Sequence, residues 1–321
     1  MTIPEQDFER GLLLSPSPHI RTQTTTQSIM RDVLIALLPA CIAGVVFFGP
    51  GTLLTMALAI ASAIGCEALF EKCAGREITV NDLSAVVTGL LLALNLPPET
   101  PWFVPVVGSA FAIIIVKQFF GGIGQNFVNP ALAARCFLLI SFPVIMTSYY
   151  APFAGPDAMT SPTPLAALSN PEVPIAGNWD LFIGNVGGCI GETSALALLI
   201  GWAYLLFRKV ITFVIPAVYM GTVALFTLLL GQPEMVLFNL FAGGLMIGAI
   251  FMATDYVSAP MNTAAQCIYA VGCGVITMVI RYWGGYPEGV SFSILFMNLT
   301  APLLDKAFKR KVFGEVPSVS D

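Results

Sequence analysis

Residues 151–180 read APFAGPDAMTSPTPLAALSNPEVPIAGNWD. This stretch holds no Lys or Arg, and its Pro, Gly, Ser and Thr belong to turns and irregular backbone. On either side of it the chain becomes strongly apolar. Candidate membrane spans lie at 32–49, 52–71, 82–96, 103–120, 129–149, 189–207, 210–230, 237–253, 264–281 and 289–305, against the ~20 residues a helix needs to cross the hydrocarbon layer. The third is short, ends at Asn95 before Pro97 and Pro98, and reads as a tilted or half-crossing helix. The expected class is therefore an all-α integral membrane protein of about ten transmembrane helices. Its parts are an N-terminal segment (1–31), a first five-helix half (32–149), the long loop (150–188), a second five-helix half (189–305) and a tail (306–321).

Composition points the same way. The chain has 321 residues, 56% hydrophobic and 10% charged, with a mean hydropathy of +0.83. A soluble domain carries about 25% charged residues, so this chain could not clothe a globular surface in polar groups, and its natural solvent is lipid. The net charge of -5 and the lack of a basic patch speak against a nucleic-acid partner. The N-terminal MTIPEQDFER lacks the basic and apolar regions of a cleaved signal peptide, so none is expected. No two of the seven cysteines have C-x-x-C spacing, and most sit in apolar runs where Cys acts as a small hydrophobe. His19 is the only histidine, so no histidine metal site is expected.

Orientation follows from the basic residues. With the N-terminus cytoplasmic and all ten spans crossing, only Arg281 of the 14 Lys and Arg falls outside. Both termini are then cytoplasmic and the loop 150–188 is external. Five spans per half would invert the halves relative to each other, a common transporter plan with binding sites near the midplane at their interface. Glycine-rich stretches recur before a polar turn in both halves, GGIGQNFVNPALAA from Gly121 and AGGLMIGAIFMATDYVSAP from Ala242.

The external loop contains Asp157-Ala158-Met159-Thr160-Ser161-Pro162-Thr163. It resembles the D-x-x-[ST]-G-A-[ST] pattern read by the bacterial flavin transferase, which joins FMN to the last hydroxyl by a phosphodiester bond. Ser161 stands where that pattern has Gly, and Pro162 where it has Ala, stiffening the backbone before Thr163. The bland alternative is a Ser/Thr/Pro turn, and Thr160 and Ser161 stand as alternative acceptors. Asn126 and Asn129, in Gly121–Pro130, are amides that need partners at membrane depth. They read either as ion or cofactor contacts or as parts of a turn and helix cap. Asp255 closes a glycine-rich span, and an ionisable group at membrane depth is a functional candidate by default. It too could simply cap the next segment. Glu67 and Glu192 draw weaker attention for the same reason, Asp82 reads as a cap of the third span, and Arg135 as a snorkelling or paired side chain.

Several stretches together resemble one family. They are Ser17–Arg21, Ile29–Pro39, DLSAVVTGLLLALNLP from Asp82, GQNFVNPALAARCFLLISFP from Gly124, GETSALALLIG from Gly191, FMATDYVSAP from Phe251 and EGVSFSILFMN from Glu288. The chain is similar to the NqrB/RnfD family of bacterial membrane subunits, and its length favours the Rnf branch. The resemblance implies a urea-transporter-like fold of two five-helix halves in the bacterial inner membrane. It implies a flavin-carrying subunit of a pump that couples electron transfer between ferredoxin and NAD to Na+ or H+ movement. It also implies covalent FMN on Thr163, with Asp157, Thr160 and Ser161 in the recognition segment, and a non-covalent riboflavin without assigned residues. Implied partners are the other membrane and peripheral subunits of the Rnf complex, a flavin transferase for maturation, and the bilayer. The chain has no dinucleotide-binding G-x-G-x-x-G after a strand and no cluster-ligand cysteines, so partner subunits must supply the NADH, ferredoxin and iron–sulfur sites. The competing class is a solute channel or carrier of the urea-transporter type with no redox role; a scaffold subunit with an unmodified loop is a third.

Overall fold

The computed structural model describes residues 24–153, 161–168, 170, 173–285 and 288–308. Among them no strand occurs, and helices occupy nearly all the expected apolar segments. The first half contains α1 (Thr26–Phe48), α2 (Gly51–Cys73), α3 (Ser84–Leu94), α4 (Phe103–Gln118) and α5 (Pro130–Ser141). The second half contains α6 (Ala195–Phe207), α7 (Val214–Leu229), the bent pair α8 (Pro233–Phe241) and α9 (Leu245–Met252), α10 (Thr263–Trp283) and α11 (Val290–Ala307). Among the described residues three helices, α1, α2 and α10, are long and apolar enough to cross a membrane; α8 with α9 adds a fourth if the pair counts as one span.

The helices are apolar outside and tightly packed inside. On α1 the exposed stripe is Ile35, Leu38, Ile42 and Val46; on α10 it is Ile268, Val271, Val275 and Val279. The spacing is helical, so one face of each helix presents branched aliphatic groups outward, as a lipid-facing surface does. The opposite faces pack on small residues. A Cβ on Gly89 of α3 would lie 2.8 Å from Ala59 O of α2, and one on Gly201 of α6 would strike Ala36 O of α1. These glycines let backbones approach where lipid offers no hydrophobic drive for association. At one end of the α1–α6 crossing, Asp32 accepts from Tyr204 at 3.1 Å and pairs with Arg208 at 3.2 Å.

The two halves repeat a packing scheme. In the first, α2 packs on α4 and α3 on α5; in the second, α7 packs on α10 and α9 on α11. Across the halves, α1 meets α6 and α5 meets α11, first on first and last on last.

Several predicted boundaries move. The segment at 82–96 is an 11-residue helix, about 16 Å long at 1.5 Å per residue, and all of it but Val86 is buried. The segment predicted at 129–149 stops at Ser141, because Pro143 disfavours helical backbone at Phe142 and donates no hydrogen bond. The segment at 189–207 turns helical only at Ala195, with Ser194 as its cap. Before it, Ile190 N and Gly191 N donate to Leu96 O and Leu94 O, at 3.0 and 2.8 Å. They satisfy carbonyls that the end of α3 would otherwise leave orphaned. The segment at 237–253 breaks at Ala242-Gly243-Gly244 with a bend of 67°, and Gly243 there has φ +66. The loop expected to be irregular contains a six-residue helix, Asn178–Ile183, and a 3-10 turn, Pro164–Leu168.

Candidate functional sites

Two polar sites lie in the interior. The first is built around Arg135, which α5 carries into the contact between the halves. Arg135 is 6% exposed. Its Nη1 lies 2.8 Å from Glu192 Oε1, 3.0 Å from Asn95 Oδ1 and 3.1 Å from Ser291 Oγ. Its Nη2 donates to Glu288 Oε2 and lies 3.7 Å from Cys189 Sγ. The broken backbone around it leaves room for this cluster. Asn95 ends α3, Glu192 sits in the non-helical lead into α6, Glu288 precedes α11, and a Cβ on Gly244 would lie 2.8 Å from Glu192 Oε1. One guanidinium therefore serves two carboxylates from two different loops.

Thr163 opens onto this site. It is 6% exposed, and it lines one small cavity with Gly187, Gly188, Gly243, Glu192, Thr193 and Glu288. Its carbonyl accepts from Ala166 N at 2.9 Å, which starts the 3-10 turn, and Ser161 N donates to Tyr149 O at 2.8 Å. Asp157 and Thr160 fall outside the described residues. Thr163 supplies a hydroxyl to which a group could be tethered, beside Gly187, Gly188 and Gly243, and Thr193 Oγ1 is buried there without a hydrogen-bond partner; the cavity has room for about one water molecule, so a tethered group would lie at its mouth and not inside it.

The second site is a larger cavity between the halves, and it brings together all three polar candidates Asn126, Asn129 and Asp255. Its walls are otherwise mainly apolar, from α1, α3, α6 and the end of α9. Asn129 caps α5, accepting from Ala131 N at 3.0 Å and Leu132 N at 3.2 Å, and it reaches across to donate to Met252 O at 3.3 Å. Asp255 accepts from Ser258 Oγ at 2.9 Å, and Asn126 Nδ2 donates to Val128 O at 3.1 Å. The cap reading for Asn129 is thus realised; α10 is capped by Asn262 and not by Asp255, which braces the turn before it through Ser258, and Asn126, Asn129 and Asp255 line one cavity. The π-helical ends of α4 (from Phe111) and of α9 (from Gly248) both run toward this site; such distortions favour functional positions.

Lys117, whose place in the sequence marks it only as an orienting charge, also lines this cavity. It is 3% exposed and pairs with Glu67 at 2.5 Å, while donating to Ser84 Oγ at 2.6 Å. Gln118 Nε2 joins Glu67 to Glu71, at 2.9 and 3.2 Å. Asp82 accepts from Ser84 N at 2.8 Å just before α3, as its reading as a cap requires. Arg281, the exception in the orientation count, is 4% exposed and donates to Asn239 O at 2.6 Å and Ala242 O at 3.0 Å. It neutralises the carbonyl end of α8, the negative pole of the helix dipole. Lys117, Arg135 and Arg281 are therefore interior structural charges rather than loop charges.

Nothing local in the sequence marks Glu288, Cys189 or Asn95 as partners of Arg135. Glu288 looked like a loop residue ahead of a span, and nothing local tells that α5 points a guanidinium at it. No group of three or more His, Cys, Asp or Glu among the described residues suits a metal ion, and all seven cysteines are free thiols.

These features define a polytopic helical protein with charge buried where broken helices of two similar halves meet. The chain belongs to the NQR2, RnfD, RnfE family, whose model it matches over residues 13–314. It is 52% identical over 310 residues (95% of this chain, 96% of the relative) to a subunit of the Na(+)-translocating ferredoxin:NAD(+) oxidoreductase complex of Acetobacterium woodii. It is 42% identical over 316 residues (94% and 96%) to a subunit of the proton-translocating ferredoxin:NAD(+) oxidoreductase complex of Clostridium ljungdahlii. A subunit of the ion-translocating oxidoreductase complex of Alcanivorax borkumensis is 39% identical over 337 residues, covering 96% of this chain and 98% of the relative.

Proposed function

We propose that this chain is the flavin-carrying membrane subunit of an ion-translocating ferredoxin:NAD oxidoreductase, with FMN joined to Thr163 on the outer side. The observation that carries this reading is the position of Thr163. It is the last hydroxyl of the Asp157–Thr163 segment, and it opens onto a glycine-lined cleft beside the buried Arg135 cluster. FMN held there would supply one- and two-electron redox chemistry. This chain's residues would anchor the phosphate through Thr163, at the mouth of the cavity that Gly187, Gly188 and Gly243 line, and would set the local charge with Arg135, Glu192 and Glu288. Thr163 is only 6% exposed, so the transferase must act while residues 161–163 are drawn out from the body.

Ten helical segments, several of them half-crossing, form two inverted halves in this reading, with the termini cytoplasmic and the loop 150–188 outside. The repeated α2/α4 and α7/α10 packing, and the first-on-first and last-on-last contacts, are what a two-fold axis in the membrane plane requires. Electrons that reach the outer side must cross the bilayer. Moving one charge against 100 mV costs about 2.3 kcal/mol, so that crossing can be coupled to Na+ or H+ movement. The second cavity, apolar with a few convergent polar groups, has the character of a small-molecule site and is the place we assign to a non-covalent riboflavin.

The test is in-gel ultraviolet fluorescence of the denatured chain, co-expressed with a flavin transferase, wild type against Thr163→Val. A fluorescent band lost in the variant supports covalent FMN at Thr163. No band in wild type, beside a control substrate that the transferase does label, overturns it and revives the solute-channel reading.

A further inference from the structure

We propose that Arg31, Arg208 and Lys209 form a binding site for the phosphate of one anionic phospholipid, at the end of the α1–α6 crossing. The site is organised by Asp32, which is buried and is the only carboxylate paired with any of the three among the described residues. Asp32 Oδ2 accepts from Arg208 Nε at 3.3 Å and Nη2 at 3.2 Å, and its Oδ1 accepts from Tyr204 at 3.1 Å. One edge of the guanidinium is fixed in this way, while the Arg208 side chain stays 48% exposed. Arg31 is exposed, adjoins Asp32 and lies within electrostatic reach of the Tyr204 hydroxyl. Lys209 is exposed beside Arg208. Neither Arg31 nor Lys209 has an ion pair among the described residues. Asp255, next to the Tyr256 that reaches Val210, lines the second cavity and accepts from Ser258. Three positive charges thus stand against one carboxylate, and a half-free guanidinium beside two further cations is a phosphate receptor.

The backbone and the neighbouring surface point the same way. Lys209 has φ +56 and closes α6, its N donating to Leu206 O at 3.0 Å while Val210 N donates to Leu205 O at 3.0 Å. Such a left-handed closing position normally belongs to glycine. The helix dipole favours a cation there, but at an exposed site it offsets only part of the left-handed cost. Beyond the cations the surface is apolar. Ile35, Leu38, Ile42 and Val46 of α1, and Leu196, Ile200 and Phe207 of α6, are exposed at helical spacing. From Ile35 to Val46 the helix rises ~16 Å, and one leaflet of hydrocarbon is about 15 Å deep. A phosphate held by the cations would therefore have its acyl chains on aliphatic surface of matching length, which suits a phospholipid and gives a free phosphate nothing.

This site does not rest on the flavin reading, because it needs no modification of Thr163. The test uses the full chain purified in detergent. Its Tm is titrated with palmitoyl-oleoyl phosphatidylglycerol, with the matching phosphatidylcholine, and with inorganic phosphate. A ligand that binds only the folded state raises Tm. Wild type should show a saturable rise with phosphatidylglycerol alone. Lys209→Gly suits the left-handed turn and removes one cation, so it should keep the basal Tm and move the titration midpoint upward by about fivefold. Adding Arg31→Gln should move it by about fivefold again. Lys72→Gln with Arg76→Gln, which removes two exposed cations at the end of α2, should leave the midpoint unchanged. An equal rise with phosphatidylcholine, or an unchanged midpoint in the Arg31 and Lys209 double variant, overturns the site. An equal shift in the Lys72 and Arg76 variant also overturns it and leaves only general attraction to a basic surface. A rise that inorganic phosphate reproduces overturns the lipid and leaves a free anion in its place.

Discussion

At the residue scale the interior is governed by charge pairing. Arg135 holds Glu192 and Glu288, and Lys117 holds Glu67. Removing one partner of a buried pair leaves an uncompensated charge, at a cost of ~3–5 kcal/mol. Arg135→Ala should therefore destabilise by about that amount, and Glu192→Gln much less, since Glu288 keeps the guanidinium paired. Thermal denaturation of the detergent-purified chain compares them; equal losses would argue against the shared pairing. Lys117→Met should be similarly costly, and Lys117→Met combined with Glu67→Gln should recover part of the loss. Additive losses in the double variant would show that the two side chains are not coupled.

At the element scale, close approach of backbones decides which glycines matter. Gly201 of α6 has no room for a Cβ against Ala36 of α1, whereas Gly221 of α7 and Gly65 of α2 have nothing within 4 Å of theirs. Gly201→Val should abolish the monodisperse peak in fluorescence-detected size exclusion; Gly221→Val and Gly65→Val should leave it intact. A normal peak for Gly201→Val would place the contact of α1 with α6 elsewhere. The helices were legible as apolar runs, and their breaks were less so. Pro143 was visible and its effect could have been read, but the bend at Ala242-Gly243-Gly244 looks in sequence like one continuous span. A run of small apolar residues has the same hydropathy straight or bent. What bends this one is a positive φ at Gly243 and the Arg281 side chain waiting for its freed carbonyls.

At the scale of the whole molecule the prediction concerns sidedness. Cys73 is an exposed native thiol at the end of α2, on the side read as cytoplasmic; Asn178 lies exposed in the long loop. In intact cells a membrane-impermeant maleimide should label Asn178→Cys and spare Cys73, and inside-out vesicles should reverse the pattern. Labelling of both from one side would break the ten-segment topology. The orientation count places Lys117 and Arg135 among the cytoplasmic charges. Both are buried, so sidedness rests on the remaining basic residues.

By itself, the sequence determined that the chain is a helical membrane protein, where its apolar segments lie and which family it belongs to. Hydropathy and local motifs are properties of contiguous residues and survive without coordinates. It also marked Thr163, as the last hydroxyl of a flavin-transferase-like pattern in the long loop, and Asn126, Asn129 and Asp255, because amides and carboxylates in apolar surroundings stand out one at a time. Only the tertiary structure decided that the last three share one cavity, and that Arg135 joins Glu192 to Glu288 below Thr163. Those partners are separated by 57 to 153 residues of chain. Their meeting depends on how broken helices from the two halves cross, a long-range packing outcome that no local pattern encodes.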